Sequence, residues 1–183
     1  MKKTIYLIFA IIVITFSSNA QIQEPKYIGE AILLTSDSTF VKLDKEFAQY
    51  RTGISWSTNA WEALFLKIES GKASVRLPKG SSAKILVKAA DNNSDPMSII
   101  TIYKFKAKKN KRETMLARSN EGTTGSSYNV TKNMIPFNGE QYGEKSYLIE
   151  LDNLAPGEYG IVVNNPNSID EKRTIVSCFA VDK

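Results

Sequence analysis

The stretch MSIITIYKFKAKKNKRETMLARS, Met97 to Ser119, decides the fold class. Thr101, Tyr103, Phe105 and Ala107 fall on one side of an extended chain, and Lys104, Lys106 and Lys108 fall on the other. Successive side chains of a strand point to opposite faces, so this pattern predicts a strand with one packed and one solvated face. KNKR, Lys109 to Arg112, turns the chain, and ETMLARS, Glu113 to Ser119, returns it. The unit is an antiparallel hairpin.

The same pattern spreads outward in both directions. YIGEAILLTSDSTFVKL, Tyr27 to Leu43, reads as two extended runs around SDS. LFLKIESGKASVRL, Leu64 to Leu77, reads as another pair turning at Ser70-Gly71, and AKILVKAA, Ala83 to Ala90, as a further strand. The Gly- and Ser-rich NEGTTGSSYNVTKN, Asn120 to Asn133, reads as a long exposed loop. KSYLIELDN, LAPGEYGIVV and RTIVSCFAV then bring the chain to its end as strands. STNAWEALFLKIE, Ser57 to Glu69, is the one helical candidate, with Thr58 or Asn59 as cap, set against a strand from Leu64. Many short strands with turn signals between them predict an antiparallel β-sandwich, immunoglobulin-like or jelly-roll-like, with room for one short helix. In LAPGEY, Leu154 to Tyr159, a Pro-Gly turn leads into a tyrosine, as in the tyrosine corner of such sandwiches.

Residues 1–20 stand apart from this domain. A basic MKK precedes thirteen apolar-rich residues, TIYLIFAIIVITF, and SSNA follows with small residues at Ser18 and Ala20. That order predicts a secretory signal peptide over 1–20, cleaved after Ala20, and a single β-sandwich domain over 21–183. The apolar run is too short to span a bilayer comfortably, so no membrane span is expected. The product is expected in the periplasm or secreted. Without Lys2 and Lys3 the chain keeps 22 cations against 19 anions, a mild excess.

The chain has 0 His and 1 Cys. Ser-His-Asp and Cys-His catalysis are excluded, and so are His-bearing zinc sites. Cys178 has no partner for an internal disulfide, and its apolar setting in TIVSCFAV reads as a buried thiol. No cofactor is implied. DNNSDP, Asp91 to Pro96, imitates the opening of a calcium loop through Asp91, Asn93 and Asp95. Pro96 then stands where that loop needs Gly, and Ile102 where it needs a bidentate Glu, so a turn is the better reading and no metal site is expected. Glu150 and Asp152 share a strand face, as paired carboxylates of β-jelly-roll glycosidases do, but the third acid of that pattern is replaced by Leu154. No catalytic residue is expected.

Two features point to binding. Trp56 and Trp61 bracket STNA, and an exposed tryptophan offers a flat apolar surface for a sugar ring or a partner. The segment Tyr103 to Arg112 carries six cations. Export sets nucleic acid aside, and lysine on a strand suits a solvated face or edge protection. Acidic glycans or lipopolysaccharide phosphates are the other reading.

KYIGEAILL, FVKLDKE, SVRLPKG, ILVKAADNNSDPMSIITIYKFKAKKNKRE, SYLIEL and LAPGEYGIVV together resemble a group of exported proteins of Bacteroidota. The resemblance covers most of the chain after residue 20 and fits TGISWSTNAWEALFL least. It implies an all-β chain and carries no activity, ligand or catalytic residue. The expected function is an exported, non-catalytic binding or interaction module of the cell envelope, with a glycan or an envelope protein as partner. The alternative is a small carboxylate-dependent glycan hydrolase.

Overall fold

The structure, a computed structural model, describes residues 22–36, 39–55, 61–122, 125–130 and 133–183. The expected signal peptide, Trp56, the cap candidates Thr58 and Asn59, and the tip of the SDS turn lie outside them. In chain order the elements are β1 (Ala31–Ser36), β2 (Thr39–Lys42), β3 (Asp44–Ser55), β4 (Trp61–Ile68), β5 (Arg76–Leu77) and β6 (Ala83–Lys88). The short helix α1 (Pro96–Ile99) precedes β7 (Ile100–Lys108) and β8 (Lys111–Gly122). β9 (Gly125–Val130), β10 (Asn138–Tyr142), β11 (Ser146–Leu151), β12 (Gly157–Val163) and β13 (Arg173–Val181) complete the chain. The helix is not at Ser57–Glu69, where Trp61–Ile68 is strand. It sits where Pro96 fixes the first turn and the Asp95 carboxylate accepts the Met97 N–H at 2.8 Å.

Two sheets form. One has five strands in the order β10-β11-β6-β1-β2. In the other, β12-β7-β8-β4-β3-β13 is closed by a β12–β13 ladder into a six-stranded barrel, with β5 and β9 attached. All pairings are antiparallel except that of β5 with β13. The antiparallel all-β expectation holds, but the second layer is not the open sheet of an immunoglobulin-like or jelly-roll-like sandwich. β13 pairs along one side with β3 and along the other with β12, so closure leaves it no edge.

Two cores result. The first lies between the five-stranded sheet and the barrel wall, where Ile85, Val87, Tyr147 and Ile149 meet Ile102, Tyr159, Ile161 and Phe179. The second fills the barrel with Ala48, Leu66, Ile68, Phe105, Val176 and Cys178. β12 and β13 contribute alternate residues to both cores, which explains their nearly unbroken apolar runs. The Tyr159 ring stacks on Phe179 at 5.2 Å, and its hydroxyl donates to the Ala155 carbonyl, the tie expected of a tyrosine corner.

Two local expectations are corrected. Leu64–Leu77 is not a hairpin. β4 pairs with β3 and β8, and the chain leaves through Gly71 to reach β13 at the far side. Gly71 lies so close to the β7–β8 turn that a Cβ would stand 2.4 Å from the Lys109 carbonyl oxygen. The reach from β4 to β13 is set by that contact, not by a local turn. Asn120–Asn133 is not a loop. β8 runs on to Gly122 and β9 returns along it, from Gly122↔Gly125 to Ala117↔Val130.

One end of the barrel is closed by charge. Arg112, fully buried, donates to Glu46, to Ser70 Oγ at 2.8 Å and to Glu158 Oε2 at 3.3 Å. Glu158 also accepts the Ala73 N–H at 2.8 Å and Arg76 Nη1 at 2.9 Å, and Arg76 Nε reaches Asp182 at 2.7 Å.

A second ion cluster straps residues 22–26 across the five-stranded sheet. The Glu24 carboxylate accepts Lys88 Nζ, Ser146 Oγ and the Glu144 N–H, each at 2.6 Å, and the Lys145 N–H at 3.2 Å. Gly143, at φ 58, leaves the room the carboxylate needs. Burial alone would raise the Glu24 pKa, but Lys88, Ser146 and the two N–H groups hold it down at about 2. A carboxylate with a depressed folded pKa stabilises the fold above its unfolded value, and this is lost as pH falls from about 4.5 towards about 2. The protection factors of the Glu144 and Lys145 amides, corrected for the pH dependence of intrinsic exchange, should therefore fall as pH drops from about 4.5 towards about 2. In Glu24→Gln the protection should already be low at about pH 6 and flat over that range, and equal pH dependence of protection in both proteins would disprove the strap.

Candidate functional site

The other end of the barrel is open. There a cleft of about 680 Å³ runs from the barrel mouth to the junction with the five-stranded sheet. β3 and β7 place Tyr50 and Tyr103 in it, beside Thr101 and Val162. These positions follow from alternation: Thr101 and Tyr103 continue the inward row of Phe105, so the row that packs the barrel ends as the lining of its mouth. Burial pushes the hydroxyl pKa of both tyrosines up, and for Tyr103 the neighbouring Tyr50 adds to it. Both hydroxyls therefore stay protonated at neutral pH.

The segment 164–172 lies along one side of the cleft and is pinned at both ends. The Asn164 N–H donates to the Ile99 carbonyl at 2.9 Å, and the Tyr50 N–H donates to the Lys172 carbonyl at 3.0 Å. Asn165 and Asp170 shape it by accepting the N–H groups of Asn167 and Lys172, at 3.0 and 2.9 Å. Asp170 also pairs with Arg173 at 3.4 Å. Asn164, Ser168 and Glu171 add an amide, a hydroxyl and a carboxylate to the lining, and Ile169, close to the cleft, is 98% exposed. Phe47, 72% exposed, and Ile175 form the outer, apolar rim. Aromatic rings, neutral hydrogen-bonding groups and one net negative charge from Asp170, Glu171 and Arg173 suit an uncharged, hydroxyl-rich ligand.

The residues singled out from sequence lie elsewhere. Trp61 is at the start of β4, on the part of β3, β4, β8 and β9 that extends away from the closed end. It is half-buried, its edge lies over Gly53, and the Arg118 guanidinium stacks 5.0 Å from its ring centre. Glu150 is on the outer face of the five-stranded sheet, paired with Lys84 at 2.6 Å, and Asp152 lies exposed beyond the strand. Cys178 is buried in the barrel, and burial pushes its thiol up to about 12. In Asp91–Pro96 the carboxylates are turned to backbone: Asp91 accepts the Asn93 N–H at 3.1 Å and Asp95 caps α1. Asn92 donates to the carbonyls of Gly143 and Ser146, at 3.3 and 3.2 Å, fastening this turn to the β10–β11 turn. Among the described residues no cluster of three or more acids or thiols is placed to hold a metal ion, and no helix is long and apolar enough to cross a membrane.

The cleft residues were missed in the sequence because they come from separate segments and share no local spacing. The one signal was Tyr103 on the packed face of the opening stretch. The chain matches no protein-family model, no curated protein and no solved structure.

Proposed function

We propose that the protein is an exported, non-catalytic binding module of the cell envelope that takes a neutral glycan in the cleft at the barrel mouth. The observation that carries this reading is the pair Tyr50 and Tyr103 in a cleft of about 680 Å³ whose remaining lining is largely amide, hydroxyl and apolar. A site of this size suits a ligand of a few sugar rings, with aromatic faces for stacking and few charged groups to desolvate. The hydrolase alternative draws less support. Glu150 is held by Lys84 outside this cleft, and the cleft's own acids, Asp170 and Glu171, are chain neighbours, with Asp170 committed to Arg173.

A glycan array followed by titration calorimetry tests it. Tyr50→Phe combined with Asn164→Ala removes one hydroxyl and one amide from the lining while keeping the tyrosine's packing volume. It should weaken binding at least about tenfold, equivalent to about 1.4 kcal/mol, and leave the melting temperature nearly unchanged. Trp61→Ala should bind normally. Loss in Trp61→Ala with none in the cleft variant would move the site to the strand extension. Release of new reducing ends would establish the hydrolase, and silence of the wild type on the array would end the glycan reading.

A further inference from the structure

The lysines of Tyr103–Arg112 do not form a flat solvated sheet face. The β7 ladder with β12 stops at Phe105, and the β8 ladder with β4 stops at Arg112. Lys106 and Ala107 pair with Glu113 and Arg112, which β4 also holds, so the finger that extends past both ladders is the turn Lys108–Lys111, with Lys106 at its base. It carries Lys106, Lys108, Lys109 and Lys111, and the packing of Gly71 against the turn sets exposed Lys72 beside them. Glu113 pairs with Lys108 and with Lys111, the latter at 3.1 Å, while Lys72, Lys106 and Lys109 have no carboxylate within ion-pair distance. Lys108, then Lys111, holds the Glu113 carboxyl below its ordinary range, as a positive field requires. Edge protection accounts for Lys106 and Lys108, which lie past the end of the β12 ladder with a partner on one side only, but not for Lys109 in the turn or for Lys72 beside it.

We propose that this finger is a docking surface for the phosphate headgroups of an anionic lipid membrane. A projecting turn with five lysines against the two carboxylates Glu113 and Glu69 presents a net positive tip to a flat, negatively charged surface, whereas a single polyanion strand calls for a groove or a stripe. The attractions of cations close to such a surface add, so a cluster of this size is enough for reversible attachment. β7 joins the finger to the cleft: Thr101 lines the mouth and Lys108 lies seven residues on, roughly 23 Å along a strand. Docking by the finger turns the cleft away from the membrane. This proposal rests on a different end of the molecule from the glycan reading and stands or falls without it.

Vesicle co-sedimentation of the purified protein tests it, with phosphatidylcholine vesicles containing or lacking about 30 mol % phosphatidylglycerol. Binding to the anionic vesicles should exceed binding to the neutral ones. It should fall at least about tenfold between about 0.05 M and about 0.5 M salt, because the contacts are exposed and screened. Lys106→Gln with Lys109→Gln, which sets no second carboxylate opposite Glu113, should lower it at least about tenfold. Both side chains are exposed and make no ion pair, so the variant's thermal melt should match the wild type. Equal anionic-vesicle binding by wild type and variant would overturn the proposal. So would retention on a soluble polyanion such as polyphosphate with no excess on anionic vesicles, which would reassign the finger to polymers.

Discussion

Arg112→Met should destabilise the protein by about 3–5 kcal/mol in a urea melt, the usual cost of removing one partner from a buried ion pair. The guanidinium is 0% exposed and serves Glu46, Glu158 and Ser70 at once. Methionine keeps much of the volume, so the loss reads the charge and its hydrogen bonds. Glu46 would keep only the Ser70 hydroxyl and the Ser70 carbonyl would lose its guanidinium donor, while Glu158 would keep Arg76 and the Ala73 N–H. Neighbouring Cys178 offers no substitute, since its neutral thiol supplies no positive charge. A drop below about 1 kcal/mol would mean that water already reaches this end of the barrel and that the plug is no plug.

Phe179→Ala should cost a similar amount, about 3–5 kcal/mol, the range for deleting a buried large aromatic. Phe179 is 0% exposed and stacks on Tyr159 between the barrel wall and the five-stranded sheet. The two cores make the effect directional. Amide exchange should accelerate in β6 and β11, whose Ile85, Val87, Tyr147 and Ile149 pack in the same core. Leu66 and Ile68, inside the barrel, should keep more of their protection. Uniform acceleration would show that the layers unfold as one unit.

Much of the strand content was legible because a half-buried strand declares itself through alternation. In β7 the inward Tyr103 and Phe105 could be read directly, and LAPGEY correctly announced a tyrosine tied to its own turn, but the side read as solvated is so only from Lys106 on, since Ile100 and Ile102 on it are buried in the first core. The errors fell where pairing is non-local. β9 is built from Gly, Ser, Tyr, Asn and Val and looks like a loop, because its order comes from the ladder with β8 and little from its own propensity. The Gly71 segment looked like a hairpin because glycine serves a tight turn and a close backbone approach equally well, and only the position of Lys109 tells which.

By itself, then, the sequence determined an antiparallel all-β chain, the alternating faces of most strands, the tyrosine corner and the buried thiol, all set by contacts within a few residues or by the polarity of one side chain. It also excluded histidine chemistry outright. Tertiary structure decided the rest. Closure of the barrel depends on β13 pairing with β3 and β12, and no local pattern encodes which distant strands meet. The two-sided burial of β12 and β13, the plug around Arg112, the cleft around Tyr50 and Tyr103 and the projection of the lysine finger all follow from that closure. Each is a meeting of residues far apart in the chain, held by packing and charge that exist only once the strands have found their partners.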